Sequence, residues 1–138
     1  CESHINDVVR KTARVNKVTS SHTKGETVIL SEQPLDQQAL RDAIAATGVY
    51  LDYDTIGRFK YHSDEEEVAL LRHMCERGYA QRLLLSLDTT AQRMAAYGGE
   101  ISLCYLLERF LPRLEAVGFP PGTLADFTVL NCRRLFAG

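Results

Sequence analysis

Arg82-Leu83-Leu84-Leu85-Ser86-Leu87-Asp88-Thr89-Thr90 decides how the rest of the chain is read. A short leucine run that ends in a carboxylate reads as a buried parallel strand delivering an acid to its exit. In open α/β sheets and in (β/α) barrels, chemistry is done at that exit. Spacing alone equally allows Asp88 to be a turn former or a helix cap.

Working outward, Ser63 and Glu66 form a capping-box pattern, and Leu70, Leu71, Met74 and Cys75 trace one helical face until Gly78 stops it. Ahead of this helix, Val49 to Tyr53 reads as a second strand, so a strand-helix-strand unit leads into Asp88. Beyond Gly98-Gly99, the residues Leu103, Leu106, Leu107, Phe110, Leu111 and Leu114 outline an amphipathic helix closing at Gly118, with Pro112 expected to kink or strain it. Thr123 is expected to cap a short turn, and Asn131 to start a terminal helix carrying Leu135 and Phe136.

On the N-terminal side, Ile5, Val8, Val9 and Val15 fall near helical spacing behind Ser3, a candidate cap. Val18 to His22 and Thr27 to Leu30 read as short strands, and Pro34 is expected to open a helix through Leu35, Leu40 and Ile44 that ends at Gly48. The alternation of strands and helices makes the class α/β. No linker, low-complexity segment or strict repeat divides the sequence, so one domain over residues 1–138 is expected.

With 138 residues, 45% hydrophobic and 25% charged, the composition is that of a globular domain. Sixteen basic against eighteen acidic residues, without a basic cluster, give no electrostatic footprint for nucleic acid or an anionic membrane, and neither partner is expected. No apolar run reaches membrane-spanning length, so the cytoplasm is the expected compartment. The four cysteines are too scattered for a zinc ribbon or a disulfide framework and are expected to be reduced, mostly as small core fillers. The opening residue Cys1 is what a processed product or part of a longer polypeptide would show.

Tyr53-Asp54-Thr55-Ile56-Gly57-Arg58-Phe59, Gly78-Tyr79, Leu85-Ser86-Leu87-Asp88, Tyr97-Gly98-Gly99 and Phe110-Leu111-Pro112 together resemble the C-terminal part of the phosphotriesterase-related family of the amidohydrolase superfamily. The resemblance covers nearly everything from Ala43 to Phe136. It implies a partial (β/α) barrel corresponding to the last strands of a (β/α)8 barrel. It also implies a binuclear divalent-metal centre, zinc by family habit, whose hydroxide hydrolyses esters, lactones or phosphoesters.

Asp88 matches the family's eighth-strand aspartate, which implies a metal ligand that also takes the proton of the attacking water. An oxygen anion suits both tasks, because the metal brings the pKa of bound water near neutrality. Ser20-Ser21-His22-Thr23 resembles the fifth-strand segment whose histidine is a ligand, which makes His22 a second candidate; the other reading is a hydrogen-bonded structural histidine. Lys60, Arg93 and Tyr97 resemble the residues with which the sugar-lactone-phosphate hydrolases of the family hold a substrate phosphate. A point charge, a guanidinium fork and a phenol donor make such a clamp; otherwise they are solvated loop residues. Asp64, Glu65, Glu66 and Glu67 read as a solvated helix start favoured by the helix dipole.

The family's first-strand histidine pair and fourth-strand bridging residue have no counterpart in this chain, and Ser31 or Glu32 stands where the sixth-strand histidine is expected. The four residues between His22 and Thr27 allow a hairpin but no parallel crossover. Either the two strands are not both parallel members of one sheet, or one is not a strand, or a helix between them has been removed.

Two functions follow. One is a fragment of a metal-dependent hydrolase acting on a small lactone or ester, phosphorylated or not, inactive as an isolated chain. The other is a non-catalytic, degenerate barrel serving as a phosphate-binding or interaction module. In either case a partial sheet exposes an edge, so a homo-oligomer or pairing with a missing N-terminal portion is expected.

Overall fold

The computed structural model describes residues 2–21, 23 and 26–137. They fall into two compact units, Cys1–Val49 and Tyr50–Gly138.

In the first unit, helix α1 (Glu2–Thr12) places Ile5 and Val9 one turn apart, and strands β1 (Lys17–Ser21) and β2 (Glu26–Leu30) pair antiparallel with Val18 opposite Ile29. Strands β1 and β2 are therefore not parallel members of one sheet. Ser3 lies inside α1 rather than capping it. Helix α2 (Gln37–Ala45) is capped by Asp36, whose carboxylate accepts the Ala39 amide at 3.0 Å, so the helix opens after Pro34 rather than at it. Gly48, at φ +84°, ends the turn that follows. Val9, Val18 and Leu40 form a small core with Ile5, Ala13, Val15, Ile29 and Leu35 packed around it, while Val28 and Leu30 remain exposed.

The second unit is built on a parallel pair, β3 (Leu51–Tyr53) and β4 (Leu83–Leu85), joined through helix α3 (Asp64–Glu76). Both halves of the capping box are formed: Ser63 Oγ accepts the Glu66 amide at 3.2 Å and Glu66 Oε2 accepts the Ser63 amide at 2.7 Å. Leu71 and Met74 on α3 are fully buried. The crossover over one helix is what a parallel pair requires.

Short helices α4 (Ala91–Ala96), α5 (Leu111–Ala116), α6 (Pro121–Ala125) and α7 (Asn131–Phe136) complete the unit. The strain expected at Pro112 is absorbed as a π turn over Leu106–Phe110, where the Leu111 amide reaches back to the Leu106 carbonyl. Such widening clears the carbonyl that the proline ring would otherwise press upon. The helix starts too late to include Leu103, and Leu103 and Leu107 are exposed while Phe110 and Leu114 are buried. Thr123 lies within α6 and caps nothing. Asn131 does begin α7, and its buried side chain donates to the carbonyls of Ala80 at 2.8 Å and Leu83 at 2.7 Å while accepting from Arg134 at 2.6 Å.

Cys75, Cys104 and Cys132 are free thiols; Cys75 is half-buried with its pKa pushed up to about 11 by burial, and Cys104 is exposed rather than a core filler. No helix among the described residues is long and apolar enough to cross a membrane.

Candidate functional site

Because β3 and β4 run parallel, the loops that follow them leave from the same end of the pair. The Ser86 amide still bonds the Tyr53 carbonyl at 3.0 Å, and Leu87 is buried. The chain then turns at Asp88, which has φ +37°, the one positive value at a non-glycine among the described residues. Left-handed backbone costs an ordinary residue about 1–2 kcal/mol, and aspartate tolerates it better than most. Such outliers cluster at functional positions.

The turn aims Asp88 at two cations. Arg58 Nη1 donates to Asp88 Oδ2 at 2.7 Å, and Arg93 Nη1 donates to the same oxygen at 3.1 Å and also to the Asp88 carbonyl. Arg93 is set by Thr90, whose hydroxyl caps α4 by accepting the Arg93 amide at 3.3 Å. Arg58 comes from the loop after β3. Its guanidinium lies 4.7 Å from the Tyr61 ring centre, and Lys60 Nζ lies 5.2 Å from the same ring. Tyr97 closes α4 and meets Phe59 edge to face, with ring centres 6.5 Å apart.

The loop carrying Arg58 is gripped from beneath. Gly57, at φ +71°, presses so closely on Ile101 and Tyr105 that a Cβ there would meet both at 3.2 Å. Its amide donates to Asp64 Oδ1 at 3.4 Å, Tyr105 Oη donates to Asp64 Oδ2 at 2.7 Å, and Thr55 Oγ1 donates to Glu67 Oε1. Asp64 and Glu67 are buried, so the helix start is not uniformly solvated: Glu65 and Glu66 face out and the other two hold the loop. Glu67 Oε2 is buried without a hydrogen-bond partner among the described residues. Burial, with the Asp64 hydrogen bond second, pushes the Tyr105 phenol up to about 12. On the strands, Ser86 Oγ donates to Asp52 Oδ2 at 3.3 Å. Desolvation raises the Asp52 carboxyl above its ordinary range; the Ser86 bond opposes this, and the charges of Asp54 and Asp88 add to it.

Of the residues singled out from sequence, Asp88 and Arg93 are in direct contact, and Lys60 and Tyr97 lie on the two loops flanking them. His22 lies outside the described residues. Arg58 was the missed member. The signal available for it was its place in the same loop as Lys60, which parallel pairing brings beside the loop after β4. Among the described residues no three His, Cys, Asp or Glu side chains converge as a metal ion requires, and one Asp88 oxygen already takes two guanidinium contacts. A binuclear centre does not fit these residues by themselves.

Residues 10–136 match the model of the phosphotriesterase family. The chain is 30% identical over 131 residues to the phospho-furanose lactonase of Mycoplasmopsis synoviae (strain 53), a match covering 91% of this chain and 35% of the lactonase. It is 38% identical over 72 residues to the phosphotriesterase homology protein of Escherichia coli (strain K12), covering 52% of this chain and 25% of that protein. The crystal structure of the Escherichia coli protein, complexed with phosphate in its active site, is similar at a TM-score of 0.59 and 32% identity, covering 69% of this chain and 31% of that one. The chain thus spans between 25% and 35% of the length of these two relatives. The structures it resembles are (β/α) barrels, and its α/β architecture is part of one.

Proposed function

The chain belongs to the phosphotriesterase family, and from that premise we propose that it is the strand-exit end of a metal-dependent hydrolase acting on a phosphorylated lactone or ester. One observation carries this reading: Asp88, at the exit of a parallel strand, is met by cations from the loops after both strands. One relative is named a phospho-furanose lactonase and another holds phosphate in its active site, which supports phosphate as the anion.

In this proposal Arg93 offers its guanidinium fork, Lys60 its ammonium and Tyr97 its phenol to the substrate phosphate, holding it against the barrel mouth. Phe59, edge-on to Tyr97, limits how that phenol can turn. Asp88 and His22 are the two ligands this chain would contribute to a zinc or similar dication centre, the other ligands coming from outside it. Since the described residues complete no such centre, the isolated chain binds substrate without turning it over. Both β3 and β4 lack a further strand partner among the described residues, which supports pairing with the rest of a barrel or with a second copy.

The second reading, a phosphate-binding module without catalysis, is favoured by the absence of converging metal donors among the described residues. The test is metal content after dialysis together with binding of a phosphosugar. The hydrolase reading expects a divalent metal held through dialysis and lost in Asp88→Ala, with phosphosugar binding weakened by Lys60→Ala and Arg93→Ala; sub-stoichiometric metal with phosphosugar binding retained favours the second reading. Two firmly held metals with lactone turnover would show a complete enzyme instead, and loss of all phosphosugar binding would remove the phosphate.

A further inference from the structure

We propose that Arg58 and Arg93 form an anion site that Asp88 occupies from within the chain, so that phosphate and the Asp88 carboxylate compete for the same two guanidiniums. The inference rests on the phosphate reading above and adds to it a cation, Arg58, and an internal competitor.

The asymmetry of exposure supports it. Asp88 is 52% exposed while Arg58 is 17% exposed, so the anion is the partner that faces water and the cation is the one that is built in. Arg58 has supports besides Asp88: its guanidinium rests on the Tyr61 ring, its amide bonds the Thr55 carbonyl at 2.9 Å, and Gly57 beside it is wedged against Ile101 and Tyr105. The Thr90 cap fixes the Arg93 backbone, and its guanidinium also donates to the Asp88 carbonyl, a bond that does not depend on the carboxylate. Both guanidiniums converge on one carboxylate oxygen, so two positive charges share one negative partner there. A phosphate brings more negative charge than a carboxylate and enough oxygens to take both forks at once. The Asp88 end of both ion pairs is open to water, so another anion can reach the guanidiniums from that side.

One consequence is reciprocal coupling: any cation that draws Asp88 away frees both arginines for phosphate, and phosphate in turn frees the carboxylate. Calorimetric titration of the full chain with inorganic phosphate at low ionic strength tests the competition. Asp88→Asn keeps a side chain that tolerates left-handed backbone and is expected to bind phosphate about tenfold more tightly than the unsubstituted chain. Asp54→Asn removes an equal charge from the neighbouring loop and is expected to change affinity by no more than about twofold. Adding Arg58→Met to Asp88→Asn should abolish the gain. Should that variant fail to fold, Arg58→Lys, which keeps the charge and loses the fork, is expected to retain only part of it.

Asp88→Asn binding no more tightly than the unsubstituted chain, or a gain that Asp54→Asn reproduces, overturns the competition and leaves the phosphate reading intact. No phosphate binding by either the unsubstituted chain or Asp88→Asn overturns both.

Discussion

The two units differ most in what they bury. The first closes over small aliphatic side chains, Val9, Val18, Leu40 and Ala45, and leaves Val28 and Leu30 in water. The second buries Phe110, Phe127, Ile56, Leu71, Met74, Leu83 and Leu114 almost completely. Each aromatic removes on the order of 150–250 Å² from solvent, at about 25 cal/mol per Å². Small folds are marginal because they bury too little of their surface. The charged constellation around Asp88 therefore stands on the better supported unit, where side chains are held in fixed places.

The sharpest way to break this contrast is Phe110→Ala, expected to cost about 3–5 kcal/mol and to expose the amides of β4 and α5 to hydrogen exchange while those of β1 and β2 keep their protection. Val9→Ala is its counterpart in the first unit, with an expected loss of about 2 kcal/mol confined to α1 and the hairpin. If urea unfolding followed by exchange showed both variants melting both units together, the division would be wrong. Ser63→Ala removes one arm of the capping box and is expected to cost about 1 kcal/mol, read as a lower urea midpoint of the second unit alone.

The effect that vanishes at neutral pH concerns Tyr105. Its phenol, ordinarily near 10, ionises at about 12 in the folded chain, so between those values the unfolded state has lost a proton that the folded state keeps. Stability should fall as pH rises through that window and be fully present below it. Tyr105→Phe should flatten the fall in a series of urea midpoints; an unchanged slope would show that the bond to Asp64 does not set it.

Local signals were legible from sequence. The capping box, the glycine stops, the leucine run and the exclusion of a parallel crossover between β1 and β2 each depend on a few neighbouring residues. Contacts made at long range were not. Asp64 and Glu67 look like dipole-favoured surface acids until Tyr105, 41 residues away, and Thr55 supply their donors. Arg58 drew no role from its own loop, because its partner Asp88 lies 30 residues later in the chain. Pro112 announced a disturbance, but whether it would appear as a kink or a π turn depended on packing around Phe110.

Asn131 makes the timing of folding predictable. Its amide joins Ala80 and Leu83 across 51 and 48 residues, tying the start of the short strand to a helix made long afterwards. During synthesis the Leu83 carbonyl gains this donor only once residue 131 emerges, whereas the Ala80 carbonyl already accepts the Leu83 amide. An uncovered leucine segment of that kind is what a nascent chain most needs to keep from its neighbours, and the delay is written into the position of one amide side chain.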